Sequence, residues 1–202
     1  MKKLTVAAVC VLAIFLFLGL MPTHGEEDLY DKVLRLHVLA NSDSDEDQAL
    51  KLAVRDRIVA LCGEALRDCE ELSEAEARLL SLKEALADAA RDVVLQEGYD
   101  YPVSITLKKE IYPRKRYDSL CFPSGEYLSC RVVIGEGEGQ NWWCVLFPPL
   151  CLGAATKNER EDMFIEAGFT PNQYKIITES DKVTYKIKFK CLEWLENLKN
   201  GR

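Results

Sequence analysis

His37 is the one imidazole left in this chain beyond residue 25, so any Ser–His or Cys–His nucleophilic chemistry would have to use it. Asp43 and Asp45 follow near the end of the same predicted strand. An exported hydrolase or protease using His37 with a cysteine or an aspartate is therefore the catalytic reading open to these residue types. The companion motifs are missing: there is no G-x-S-x-G, no Asp-Thr/Ser-Gly and no H-E-x-x-H. A hydrogen-bonded histidine beside Arg35 accounts for the pattern more simply, and no catalytic residue is expected.

The string Asp43-Ser44-Asp45-Glu46-Asp47 has the carboxylate alternation of a calcium loop. Its sixth position is Gln48 where such a loop needs Gly, and its twelfth is Val54 where it needs Glu. Helix capping is the expected role. Gly135, Gly137 and Gly139 are spaced like a phosphate cradle, but a strand follows them and Glu136 and Glu138 would repel an anion. A turn is expected there. Of the eight cysteines, Cys10 falls in the N-terminal apolar run, leaving Cys62, Cys69, Cys121, Cys130, Cys144, Cys151 and Cys191. In an oxidising compartment such residues pair. The local candidates are Cys144–Cys151, Cys121–Cys130 and Cys62–Cys69, with Cys191 over, and the connectivity stays open. With no Cys-x-x-Cys and a single histidine, no structural metal is expected, and nothing calls for a cofactor.

The N-terminus sets the compartment in which these residues work. Met1, Lys2 and Lys3 are followed by an almost unbroken apolar run from Leu4 to Met21, then by Pro22, Thr23, His24, Gly25 and an acidic stretch. This is the pattern of a signal peptide cut after Gly25. About 18 apolar residues are also just enough to remain as an uncleaved anchor. Residues 26–202 are expected to form a single exported domain, long enough to bury its own core. Without Lys2 and Lys3 it carries 24 basic and 33 acidic residues, a net charge of −9. That acidity, with no basic stripe, argues against nucleic acid and against adhesion to anionic lipid. Membrane contact is expected only through a receptor or an uncleaved N-terminal segment. A protein partner is expected.

The elements that must position these groups read as follows. Leu34, Leu36, Val38 and Ala40 alternate with Arg35 and His37, as in a half-buried strand. Ser44 with Asp47 resembles a capping box, and Leu50, Val54, Ile58 and Leu61 carry a helix to about Cys62, with Gly63 as its stop. Ser73 with Glu76 opens a second helix, along Leu79, Leu82, Leu86, Ala90 and Val93, ending at Gly98. Strands are predicted at Val103–Leu107 and Tyr127–Ile134, and Trp142–Phe147 follows the glycine turn as the second arm of a hairpin. A helix over Asn158–Ala167, a hairpin of Tyr174–Thr178 with Val183–Phe189, and a short helix through Leu192, Leu195 and Leu198 complete the chain. The class is α+β: an antiparallel sheet with two N-terminal helices packed on it and a short C-terminal helix.

Asn141-Trp142-Trp143-Cys144-Val145-Leu146-Phe147-Pro148-Pro149-Leu150-Cys151 is too short to cross a bilayer and too apolar for an ordinary loop. It reads either as the best-buried strand or as a surface kept for a partner. Adjacent tryptophans on a strand face opposite ways, so one of the two is available as a hot spot. Together with Pro123-Ser124-Gly125-Glu126-Tyr127 and the stretch from Leu34 through Asn41-Ser42-Asp43-Ser44 to Asp56, this run resembles the stage II sporulation protein R family of endospore-forming bacteria. The resemblance spans residues 32–152. It implies an intercellular signal rather than an enzyme, secreted from the forespore into the space between the forespore and mother-cell membranes. There it would activate a membrane-embedded aspartic protease that processes the sigma-E precursor. Trp142, Trp143 and Phe147 are the expected contacts, with Arg35, His37 and Asp43 as second choices.

Overall fold

The computed structural model describes residues 27–117, 119–150 and 157–178. The expected leader, Cys151, Cys191, the Val183–Phe189 strand and the Leu192–Leu198 helix lie outside them. Among the described residues, no helix is long and apolar enough to cross a membrane. The chain runs α1 (Glu27–Tyr30), β1 (Leu34–Leu39), α2 (Asp45–Ala65), α3 (Leu72–Gln96), β2 (Val103–Tyr112), β3 (Lys115–Tyr117), β4 (Leu120–Phe122), β5 (Gly125–Ile134), β6 (Asn141–Phe147), α4 (Lys157–Glu166) and α5 (Pro171–Thr178). This is an α+β fold, as expected.

Four strands form the main sheet in the order β2-β5-β1-β6, and β3 pairs only with β4 in a separate ribbon. The sheet is mixed rather than purely antiparallel, because β1 runs parallel to β5 and antiparallel to β6. The predicted hairpin between the Tyr127–Ile134 and Trp142–Phe147 segments is not formed, since β1 lies between them. The physical reason is burial. Leu34, Leu36 and Val38 are fully buried on one face and Arg35 on the other, so β1 is a central strand that needs a neighbour on each edge.

Helices α2 and α3 cover one face. Their apolar stripes, Leu50, Val54, Ile58 and Cys62 on α2 and Ala75, Leu79, Leu86, Ala90 and Val94 on α3, close over Leu36, Val38, Cys130, Val132, Cys144 and Leu146. Helix α2 runs through Gly63 instead of stopping there, because the next turn buries Leu66, whose N–H reaches the Cys62 carbonyl at 2.8 Å. That burial outweighs the roughly 1 kcal/mol a helical glycine costs. At its start, Ser44 Oγ accepts the Asp47 N–H at 3.2 Å. The Asp47 carboxylate does not complete the box. It accepts instead from Asn41 Nδ2 at 2.8 Å and Ser42 Oγ at 2.5 Å. Ser44→Ala should therefore cost about 1 kcal/mol in urea unfolding. Helix α3 begins one residue earlier than its predicted cap, with Glu74 Oε2 accepting the Glu70 N–H at 3.0 Å.

A smaller core lies on the opposite face, where Leu29, Val33, Tyr112, Leu120, Phe122, Tyr127 and Val145 meet Phe164, Phe169, Tyr174 and Ile177. Tyr174–Thr178 belongs to a helix and not to the predicted strand, since the helical turn places Tyr174 and Ile177 together on the buried side. This second layer covers only one end of the sheet.

Candidate functional site

On β1 the side chains of Arg35 and His37 point away from α2 and α3, one into the covered half of the second face and one into its open half. Register sets their neighbours: Arg35 stands opposite Ser129 and Val145, and His37 opposite Arg131 and Trp143. Thr106, Lys108 and Glu110 present the same face from β2 by strand alternation.

Glu110 is the hub of the open half. Its Oε1 accepts from Arg131 Nη1 at 2.9 Å, and its Oε2 accepts from Ser129 Oγ at 2.8 Å and faces His37 Nδ1 at 3.3 Å. Lys108 Nζ stands 3.7 Å from the same carboxylate. Burial pushes the Glu110 carboxyl up, but the hydrogen bonds from Arg131, Ser129 and His37 more than offset it and hold it below the usual range. His37 Nε2 is bonded to Asn141 Oδ1 at 2.6 Å. Both imidazole nitrogens are thus engaged, one by a carboxylate and one by an amide. The Cys130 thiol and the disulfide-bonded Cys144 belong to the core on the opposite face, away from the ring.

The tryptophans divide as their alternation requires. Trp142 packs on the α2 side, with the Arg55 guanidinium 4.8 Å from its ring centre. Trp143 is half-buried on the open side, with its ring centre 5.6 Å from that of His37 and Lys115 Nζ 4.0 Å above it. Phe147, expected as a contact, is buried in the helix-side core. Asp43 is exposed and accepts the Gln140 N–H at 2.8 Å, tying the loop after β1 to the loop before β6. Gly139 lies between these loops: a Cβ there would stand 2.2 Å from the Ser42 carbonyl oxygen, so only glycine fits.

Arg35 occupies the covered half and is fully buried. Its guanidinium carbon lies 4.2 Å from the Tyr112 ring centre, 4.9 Å from that of Tyr127, and 5.7 Å from those of Tyr117 and Phe122. Nη2 donates to Tyr117 Oη at 2.6 Å, while Nε and Nη1 have no hydrogen-bond partner among the described residues. Burial pushes the Tyr112 and Tyr117 hydroxyls up. Tyr112 Oη and Ser129 Oγ stand 2.7 Å apart, which links the cage to Glu110.

Two of the three cysteine pairs expected from nearness in sequence are corrected by the fold, whereas Cys144 of the third is disulfide-bonded. Cys62, Cys69, Cys121 and Cys130 are thiols, so neither Cys62–Cys69 nor Cys121–Cys130 is formed. Cys62 is fully buried under the sheet whereas Cys69 is half-exposed beyond the end of α2. Cys121 belongs to the β3–β4 ribbon and accepts from Arg114 Nε at 3.1 Å, while Cys130 faces α2. Burial pushes the Cys130 thiol up to about 12. Among the described residues no cluster of His, Cys, Asp or Glu could hold a metal ion.

Of the residues expected from the sequence, the fold brings Arg35, His37 and Trp143 to this face, beside Glu110, Arg131, Lys115 and Tyr117, which were not expected there. The alternation of Thr106, Lys108 and Glu110 was the available signal for β2. No comparable signal marked the ribbon.

Fold and site define an α+β domain that presents a half-open aromatic and charged face on one end of a mixed sheet. The chain belongs to the stage II sporulation protein R family, whose model matches residues 30–157. It is 33% identical to stage II sporulation protein R of Bacillus subtilis (strain 168), over 83% of this chain and 82% of that one. No solved structure matches it.

Proposed function

We propose that this chain is an exported signal of sporulation, secreted from the forespore into the space facing the mother cell. It binds the outer face of a membrane-embedded aspartic protease, prefers the active arrangement of that protease, and so triggers cleavage of the sigma-E precursor. Membership of the family supports the sporulation role.

The observation that carries the binding reading is the open half of the sheet, where Trp143 lies between Lys115 and His37 above a hydrogen-bonded charge cluster. A half-exposed indole fixed by a cation and an imidazole has the rigidity of an interface anchor. His37 there serves as part of a polar network and not as a base, because Glu110 and Asn141 occupy both ring nitrogens.

The test is co-expression of this chain with the protease and the sigma precursor in a host that does not sporulate. Precursor cleavage is expected only when all three are present and the chain is exported. Cleavage of equal extent without the chain removes the proposal.

A further inference from the structure

We infer that Arg35 is a docking site for a carboxylate of the partner, kept closed by Tyr117 of the β3–β4 ribbon in the unbound protein. The inference rests on the signalling role proposed above and adds the chemistry of the group that the partner presents.

Three observations lead to it. The first is an unbalanced cation. Arg35 is fully buried, yet among the described residues no carboxylate faces its guanidinium; four aromatic rings do, and Nε and Nη1 donate to none of the described groups. A buried charge is normally retained with a counter-ion and with its donors satisfied. Aromatic faces offset part of the desolvation but leave those donors unspent.

The second is the place of the single hydrogen bond. Nη2 belongs to both edges of the guanidinium on which a carboxylate can be gripped by two parallel bonds. That nitrogen is the one held by Tyr117 Oη, at 2.6 Å. Once Tyr117 turns away, Nη2 forms a two-pronged donor with either Nε or Nη1.

The third is how the cover is attached. The ribbon has no strand pairing to the main sheet, and Tyr117 is half-buried on it. The same short strand carries Lys115, which lies against Trp143 in the open half. A partner that engages Trp143 displaces Lys115 and, through β3, Tyr117. Charge favours an acidic visitor: Lys108 and Arg131 flank Glu110 and Lys115 lies over Trp143, on a chain with 33 acidic and 26 basic residues overall. The occupant is accordingly an acidic segment of the protease's outward-facing part, with one Asp or Glu reaching Arg35.

The experiment compares wild type, Arg35→Met and Arg35→Lys in the three-component cleavage assay, with thermal melts of each purified chain. Methionine fills the cage without a charge. Arg35→Met is expected to melt at or above the wild-type temperature while cleavage falls more than tenfold, and Arg35→Lys, which lacks the two-pronged donor, is expected to fall by a similar factor. Synthetic peptides covering the outward loops of the protease provide the binding arm. One acidic peptide should bind wild type and lose at least tenfold when its Asp and Glu are changed to Asn and Gln. If Arg35→Met melts more than a few degrees lower, or cleaves as wild type does, the docking site is overturned. If wild type itself triggers no cleavage, the signalling role fails instead, and the peptide arm still decides whether Arg35 takes a carboxylate.

Discussion

Replacing Glu110 with alanine is expected to destabilise the fold by about 2–3 kcal/mol, because it removes the acceptor shared by Arg131, Ser129 and His37. Fully buried pairs lose about 3–5 kcal/mol on such a cut. The lower figure applies because the Glu110 side chain keeps 12% of its exposure and that of Arg131 keeps 32%, so water reaches part of the cluster. The same residue gives the fold a pH dependence. The folded carboxyl titrates below its ordinary 4.5, so the stability it contributes is complete above that value. It drains away as pH falls through the lowered folded value. Urea unfolding of wild type and Glu110→Gln from about pH 7 to about pH 3 tests this. The stability gap between them should hold at neutral pH and narrow below about 4.5. A gap that is equal at every pH would mean that Glu110 acts by shape and not by charge.

Trp143→Ala is expected to reduce precursor cleavage more than tenfold while the chain still folds and is exported. Trp143 is half-buried on the open face, and its neighbours His37 and Lys115 are held in place by other contacts or by their own strands. Interface aromatics of this kind carry about 2 kcal/mol or more of binding each, which is the origin of the tenfold figure. Trp142→Ala should behave in the opposite way. That ring packs against the helix-side core under Arg55, so its loss is expected to cost about 1–3 kcal/mol of stability with a smaller effect on signalling. Melting temperature and cleavage measured on both variants separate the two roles. Wild-type cleavage by Trp143→Ala would remove the open face as the contact surface.

Local signals in the chain resolved local structure. Ser44 capped α2 because a side-chain oxygen three residues from an N–H is a purely local geometry, and α3 followed its apolar stripe almost to the residue. The neighbour of each strand was not legible. A run such as Trp142–Phe147 after a glycine turn has the pattern of a hairpin arm, and only the burial of β1 on both faces reveals that β1 displaces it. Tyr174 and Ile177 failed for a related reason: over eight residues, apolar spacing suits strand and helix alike until the surface they pack on is known. In the site, Arg35 and His37 were visible from their place in β1. Glu110 and Tyr117 came from elements whose position beside them depends on register and on a ribbon too short to announce itself.

The central position of β1 has a consequence for the timing of folding. The first described strand pairs with Leu128–Val133 on one side and Asn141–Phe147 on the other, partners roughly a hundred residues downstream. Closing such distant contacts is slow, and nothing made earlier can stand in for them. The sheet therefore stays open until the ribosome has passed Phe147. A chain that cannot fold prematurely remains threadable, which is the state that the export proposed above would require of it.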